Sequence, residues 1–313
     1  MTTTPTRTPR RGATPRRGAT TRRRKGEGRA ALGFLTPNLT GFVLFTLLPI
    51  AASLILSFYE WPILGEPSFT GLHNFVRLFS TDPVFLGVLL NTVYFVVAYL
   101  IGNLVVSLGL AVWLTSKIRG RAAFRVIFFL PVVTPMVANA LVWRLLYNPH
   151  DGVFDWFLRA VFGIEGPNWL GDEHWAMPAV VLMSVWAGFG YNMLVFIAGI
   201  ESIPATLFEA ARIDGAGPWQ RFSRITLPLL SPSLFFATVM TLITSFQVFT
   251  QPYILTGGGP GNSTTTLVVY LYQRGFQGFE FGYASSIAWV LFLVIMVMTA
   301  VQFRAQKRWV HYD

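Results

Sequence analysis

The sequence predicts an all-α polytopic membrane protein with six transmembrane helices and both termini cytoplasmic. Three observations lead there: a charge-poor apolar composition, six long uncharged stretches, and a one-sided distribution of Lys and Arg. Of 313 residues, 53% are hydrophobic and 12% charged, and the mean hydropathy is +0.52. Such a chain is not disordered, and so little charge cannot coat the two soluble domains that its length would otherwise imply. The absence of cysteine excludes a disulfide framework, thiolate metal sites and a cysteine nucleophile.

Residues 1–30 read as a basic tail. The net charge is +10, yet residues 1–29 hold ten Lys and Arg against one acid, Glu27, so the body of the chain is almost neutral. The tail repeats Thr-Pro-Arg-Arg-Gly-Ala-Thr at 8–14 and 14–20, a composition that buries no apolar surface and is expected to be disordered. Beside a membrane it gains up to ~1 kcal/mol per Lys or Arg from anionic lipid. It has no aromatic residue to stack on bases, so membrane lipid and not nucleic acid is its expected partner.

The remainder, 31–313, reads as one transmembrane domain. Cutting at charged residues leaves stretches at 30–59, 83–116, 126–143, 175–200, 225–273 and 281–303. A crossing needs ~20 apolar residues, which puts spans near 34–58, 87–114, 123–146, 177–199, 229–251 and 283–303. The first follows a basic region as a secretory signal does. Its apolar run from Phe34 to Phe58 is about twice a signal's ~7–15-residue core, so it reads as an uncleaved anchor. The fifth stretch is broken at Gln251-Pro252 and by the Gly-rich run at 256–263 into one helix and a loop. Twenty of the 24 Lys and Arg fall on the side of the tail, the 117–125 segment, the 201–228 loop and the C-terminus. Only Arg77, Arg144, Arg159 and Arg274 fall opposite, so the richer side is cytoplasmic.

Several chemistries are missing. The four histidines are scattered without metal-ligand spacing. The Gly257–Gly261 run lacks the Gly-Lys-Ser/Thr of a phosphate loop, and none of the three lysines stands in such a context, so the chain is not a P-loop ATPase and is expected to bind no cofactor of its own. The spans have almost no ionisable residue, which disfavours proton coupling but leaves sodium coupling through backbone carbonyls open. They carry instead Asn91, Asn103, Asn139, Ser184, Asn192, Thr241, Thr244, Ser245 and Gln247, groups that either hold helices together or line a path for a hydroxylated solute.

The 201–228 loop, between spans four and five, reads as two short helices. Pro204 suits a first turn, Leu207, Phe208 and Ala211 form an apolar stripe, and Glu209 and Arg212 lie on another side. Gly215 ends the first helix, and Pro218 opens a second in which Trp219, Phe222 and Ile225 recur until Pro228 interrupts it.

The spacing Glu209-Ala210-Ala211, three residues, Gly215, nine residues, Ile225-Thr226-Leu227-Pro228 resembles the EAA motif of ABC importer permeases. The resemblance covers roughly 32–305 and is greatest to the maltose-type carbohydrate branch. It includes Leu-Leu-Pro-Ile at 47–50, Trp-Pro at 61–62, Gly-Leu-His-Asn-Phe at 71–75, Phe-Phe-Leu-Pro at 128–131, Leu-Thr-Gly-Gly-Gly-Pro-Gly at 255–261 and Gly-Tyr-Ala-Ser at 282–285. The Arg-rich tail departs from the family pattern. The resemblance implies a translocation subunit of the bacterial inner membrane, not an enzyme, importing a sugar, oligosaccharide or polyol. Its implied partners are a second homologous permease, two ATPase subunits that carry ATP and Mg, and an extracytoplasmic solute-binding protein. It makes the loop a coupling helix, with Glu209, Ala210, Ala211, Asp214, Gly215, Ile225, Leu227 and Pro228 facing the ATPase. It points to Ser184, Gly188, Asn192, Thr241, Ser245 and Gln247 as the solute path. A sodium-coupled secondary carrier is the alternative.

Overall fold

The computed structural model of the chain describes residues 23–62, 65–116 and 118–308. Two compact units result, 1–52 and 53–313. In the first, α1 (Arg23–Phe42) begins inside the segment expected as an unstructured tail. Arg, Lys, Glu and Ala extend a helix readily once an apolar span has nucleated it, even across Gly26 and Gly28. The duplicated heptads lie outside the described residues. A π turn at Val43–Leu47 leads into α2 (Leu48–Leu56), and the run Ala31–Leu56 is long and apolar enough to cross a membrane.

The second unit opens with a small departure from an all-α fold. Strands β1 (Tyr59–Glu60) and β2 (Ser68–Phe69) pair antiparallel, with Tyr59 opposite Phe69. Helix α3 (His73–Ser80) follows, and its buried Asn74 donates to the carbonyls of Ser57 and Tyr59, both at 3.0 Å, satisfying backbone that the end of α2 leaves open. Next come α4 (Phe85–Thr115), α5 (Arg121–Val133), α6 (Met136–Leu146), α7 (Val153–Phe162) and α8 (Glu173–Glu201). The loop helices α9 (Ala205–Ile213), α10 (Pro218–Arg221) and α11 (Leu227–Leu229) precede α12 (Ser231–Phe246), α13 (Thr250–Thr256), α14 (Leu267–Tyr272) and α15 (Phe281–Ala305).

Helices α4, α8 and α15, with Ala31–Leu56, match four of the expected spans and are each able to cross a membrane. The other two are not straight. The third bends by 98° between α5 and α6, because Pro135 forces Thr134 into extended backbone. Buried Asn139 donates to the freed carbonyls of Pro131 at 3.1 Å and Thr134 at 3.4 Å. The fifth bends by 66° before Ser231. Its expected break at Gln251-Pro252 falls earlier, at 247–249, since Pro252 sits in the first turn of α13, where no N–H is needed.

The axial helix is α8, whose most apolar stretch is 61% buried against 28% for α4 and for α15. It runs parallel to α4: Ser107 reaches Phe189, and Ala111 and Leu114 cluster with Met193 and Phe196. Helix α12 returns antiparallel, with Leu230 and Ala237 in that cluster, and α15 reverses again, with Phe303 against Phe235 and Ile287 near Phe246. The ends of α4, α8 and α15 therefore meet the start of α12 at one end of the bundle, and α9–α10 projects there. Arg125, near the start of α5, pairs with Glu201 at 2.5 Å and ties α5 to the end of α8.

The opposite end is held by a charged clasp. The Asp82 carboxylate accepts from the Tyr270 and Tyr283 hydroxyls and from the Val84 N–H at 2.9 Å. Arg274 Nε donates to Tyr270 at 2.9 Å, and Arg77, over the Tyr283 ring, pairs with Glu280 at 3.0 Å. Burial acts to raise the Asp82 carboxyl, but these hydrogen bonds outweigh it and hold the group below 3.8. Nearby, the start of α15 lies so close to β1 that a Cβ on Gly282 would lie 1.9 Å from the Tyr59 carbonyl oxygen.

Two outcomes follow. Gly282→Val is expected to destabilise the folded chain by ~1–3 kcal/mol or more through overpacking, whereas Gly87→Ala, whose Cβ meets nothing within 4 Å, does not; thermal unfolding in detergent reads both. Asp82→Asn is expected to lower the unfolding midpoint at neutral pH. Because the folded carboxyl titrates below its unfolded value of 3.8, the stabilisation is complete above that value and lost as the pH falls through the folded one. The midpoint gap between wild type and Asp82→Asn should hold at pH 5–7 and shrink below about 4.

Candidate functional site

Helix α9 starts after Pro204 and ends in a Schellman motif that explains the spacing of its residues. Gly215 has φ +75°, its N–H bonds the Arg212 carbonyl at 3.1 Å, and the Ala216 N–H bonds the Ala211 carbonyl at 2.8 Å. The left-handed residue must come four positions after the carbonyl that closes the motif, so the interval from Ala211 to Gly215 is set by backbone geometry. Gly217 then caps the next helix, its N–H donating to Gln220 Oε1 at 2.9 Å, with Pro218 at the first helical position.

Pro228 does not end that helix. A π turn at Phe222–Thr226, closed by the Leu227 N–H on the Phe222 carbonyl, gives the proline ring room beside the preceding turn, and the helix continues to Leu229. Ile225 and Pro228 are half-buried, and Leu227 is exposed.

The α9–α10 unit presents a surface that its own bundle leaves uncovered. Glu209, Ala210, Asp214 and Gly215 are exposed and Ala211 half-buried, while Ile213 is 87% and Trp219 74% exposed. The expected apolar stripe is split accordingly, with Leu207 outward and Phe208 inward. Beneath the unit, against the ends of α4 and α8, lies a cleft of about 470 Å³ walled by Phe208, Glu209, Arg212 and Arg221. Among the described residues the buried Nε of Arg221 has no hydrogen-bond partner.

A second constellation lies mid-bundle, where α4, α8 and α12 meet. Asn192 Nδ2 donates to Asn103 Oδ1 at 2.6 Å and to Thr241 Oγ1 at 2.8 Å. Ser107 donates to Asn103 Oδ1 at 3.4 Å and to the Phe189 carbonyl at 2.8 Å, and Asn103 Nδ2 donates to the Tyr99 hydroxyl at 3.3 Å. The absence of a side chain at Gly188 makes room for that hydroxyl, which would lie 2.3 Å from a Cβ there.

Of the six residues expected along a solute path, Gly188, Asn192 and Thr241 thus come together. Ser184 and Ser245 are buried and bond carbonyls of their own helices, Val180 at 2.7 Å and Leu242 at 2.9 Å, while Gln247 is exposed at the end of α12. Tyr99 escaped the sequence reading, although Tyr99, Asn103 and Ser107 recur every four residues and so share one face of α4.

Comparison with known proteins agrees with this architecture. Residues 103–311 match the family model described as binding-protein-dependent transport system inner membrane component. The chain is 38% identical over 287 residues to the probable ABC transporter permease protein YesP of Bacillus subtilis, covering 91% of this chain and 92% of that one. It is 36% identical to the lactose transport system permease protein LacF of Rhizobium radiobacter, covering 88% and 93%. Its fold superposes with TM-score 0.79, at 23% identity, on a chain of a bacterial alginate ABC transporter crystallised with an alginate pentasaccharide-bound periplasmic protein, covering 91% of this chain and 96% of the other. A loop helix with the EAA spacing, an apolar multi-helix bundle and relatives matched along almost their whole length give one conclusion: the chain belongs to the inner-membrane permease family of binding-protein-dependent ABC transport systems.

Proposed function

We propose that this permease imports a saccharide or polyol as one half of a heteromeric membrane channel. It crosses the membrane six times, with the α5–α6 and α11–α12 bends within the third and fifth passes, and keeps both termini and the α9–α10 loop in the cytoplasm. The observation that carries the proposal is the exposed, Schellman-terminated α9, which holds Glu209, Ala210 and Ala211 at a fixed interval from Gly215 with Ile213 and Trp219 uncovered.

A face of that kind is a socket for another protein. Glu209 pairs with a basic residue of the ATPase subunit, Ala210 and Ala211 allow close approach, Asp214 and Gly215 form the turn, and Ile225, Leu227 and Pro228 connect it to α12. Two such ATPases bind ATP and Mg, hydrolyse the nucleotide and drive the loop, while this chain carries out no hydrolysis. A population shift from 1:99 to 99:1 between inward- and outward-facing bundles takes about 5.5 kcal/mol of differential binding, which closure of the nucleotide-bound ATPases can supply through the loop. A second, homologous permease completes the channel, and an extracytoplasmic binding protein delivers the solute to the end that bears the Asp82 clasp. Membrane lipid surrounds the assembly.

The solute class follows from the chemistry of Asn103, Asn192 and Thr241. A path of neutral amides and hydroxyls replaces the water hydrogen bonds of a polyhydroxylated solute without attracting a counter-ion. LacF and the alginate transporter handle saccharides, which agrees with that chemistry. Gly188 and Gln247 border the path, and Ser184 and Ser245 bring hydroxyls to it.

Two measurements test this reading, both made on the complex reconstituted with its binding protein. Glu209→Lys breaks an interfacial charge pair, a loss that costs ~2–5 kcal/mol, and should cut ATP-driven uptake at least tenfold with unchanged membrane insertion. Normal uptake by that variant would overturn the coupling role. Asn192→Leu removes the amide that donates to Asn103 and Thr241, at ~1–3 kcal/mol. It should lower uptake about tenfold while binding-protein-stimulated ATP hydrolysis persists, and Ser286→Ala, which removes a bond within α15 away from the path, should change uptake less than twofold.

A further inference from the structure

At the clasp end of the second unit, two clefts share one side chain. A polar cleft of about 320 Å³ is walled by Glu60, Trp61, His73, Arg77 and Glu280. Beside it, an apolar cleft of about 280 Å³ is walled by Leu56, Trp61, Phe276, Ala284 and Ala288. Their order along α15 gives them a direction. The polar cleft reaches the helix only at Gly282 and Tyr283 in its first turn, whereas the apolar one runs from Phe281 to Ala288, ~7.5 Å beyond Tyr283 at ~1.5 Å per residue. Trp61, 45% exposed, stands at the junction, the position that indole takes at a membrane–water boundary.

Polarity that falls along the span axis is the pattern of an amphiphile lying parallel to the helices. A saccharide, with hydroxyls on every side, leaves the lower cleft unused. The charges narrow the class further. Arg77 is oriented by Glu280 at 3.0 Å and by the Tyr283 ring at 4.1 Å, and His73 stands at the start of α3. Glu60 is exposed and, among the described residues, has no ion-pair partner. A set that mixes a cation with acids suits a headgroup bearing both charges better than an anionic one.

We infer that the two clefts form a single site for a zwitterionic phospholipid of the phosphatidylethanolamine type. Its phosphate lies by Arg77 and His73, its ammonium by Glu60, and the upper part of one acyl chain lies against Leu56, Ala284 and Ala288. The inference is independent of the solute and of the ATPase contact.

The test is native mass spectrometry of the assembled transporter, released from nanodiscs of equal phosphatidylethanolamine and phosphatidylglycerol. Wild type should retain one phosphatidylethanolamine after activation strips the remaining lipid, at least tenfold in preference to phosphatidylglycerol. Ser285→Trp, which fills the apolar cleft, should abolish retention, and Glu60→Lys, at an exposed position, should reverse the preference. Equal retention of both lipids by wild type, an unchanged preference in Glu60→Lys, or a wild-type complex that holds no lipid would each overturn the assignment, and cross-linking of a Ser285→Cys variant to the partner permease would show that protein covers the cleft instead.

Discussion

A peptide group without a hydrogen-bond partner is intolerable in hydrocarbon, and the architecture of this chain depends on how it meets that condition. Long helices satisfy it automatically. The places where the helices stop are the informative ones, and several carry an amide or hydroxyl aimed at the backbone. Asn74 serves the end of α2 and Asn139 the gap between α5 and α6. Thr92 accepts from the Leu267 N–H at 2.9 Å, at the entry to α14. In the Gly-rich loop, Asn91 donates to the Asn262 carbonyl at 2.7 Å, and the buried Thr264 and Thr265 donate to Gly259 and Gly258 at 2.8 and 2.9 Å. Polar residues in the apolar stretches are therefore distributed by backbone need first, and only those left over are available to a solute.

That division separates the two constellations. The Asn103–Asn192–Thr241 cluster serves no interrupted backbone; it joins three helices side chain to side chain, and it sits on α8, the most buried element. The same helix leads into α9 after the Pro204 corner, and Glu201 at its end is tied to Arg125 of α5. A displacement of the loop unit thus has a stiff element to act upon, one that passes directly through the polar cluster. The clasp around Asp82 closes the far end of the same bundle and joins α3 and the start of α4 to α14 and α15.

Much of this was legible in the sequence, for reasons that differ by element. Span existence rests on runs of apolar residues, which have no competing interpretation at that length, so α4, α8 and α15 appear where expected. The bends were missed because hydropathy sums over residues and is blind to the conformational restriction that Pro135 places on Thr134. The π turn that carries the chain past Pro228 was equally hidden, since proline reads as an interruption unless the preceding turn is known to widen. The EAA spacing was visible as a pattern, while its cause, the bond from Ala216 to Ala211, emerges only in three dimensions. Nothing in the sequence joins Asp82, Arg77, Arg274 and Glu280 into one group, because pairing across about two hundred positions leaves no local signature.

The closure of α9 has a consequence for which changes the loop tolerates. Side chains on its surface can be exchanged one at a time without disturbing the backbone, but an insertion or deletion between Ala211 and Gly215 would shift the left-handed residue by one step, about 100° around the helix. The exit of the chain, and with it Trp219 and everything it meets, would point elsewhere. Apart from Gly215, which the positive φ requires, the fold of this corner depends on its length more than on its side chains.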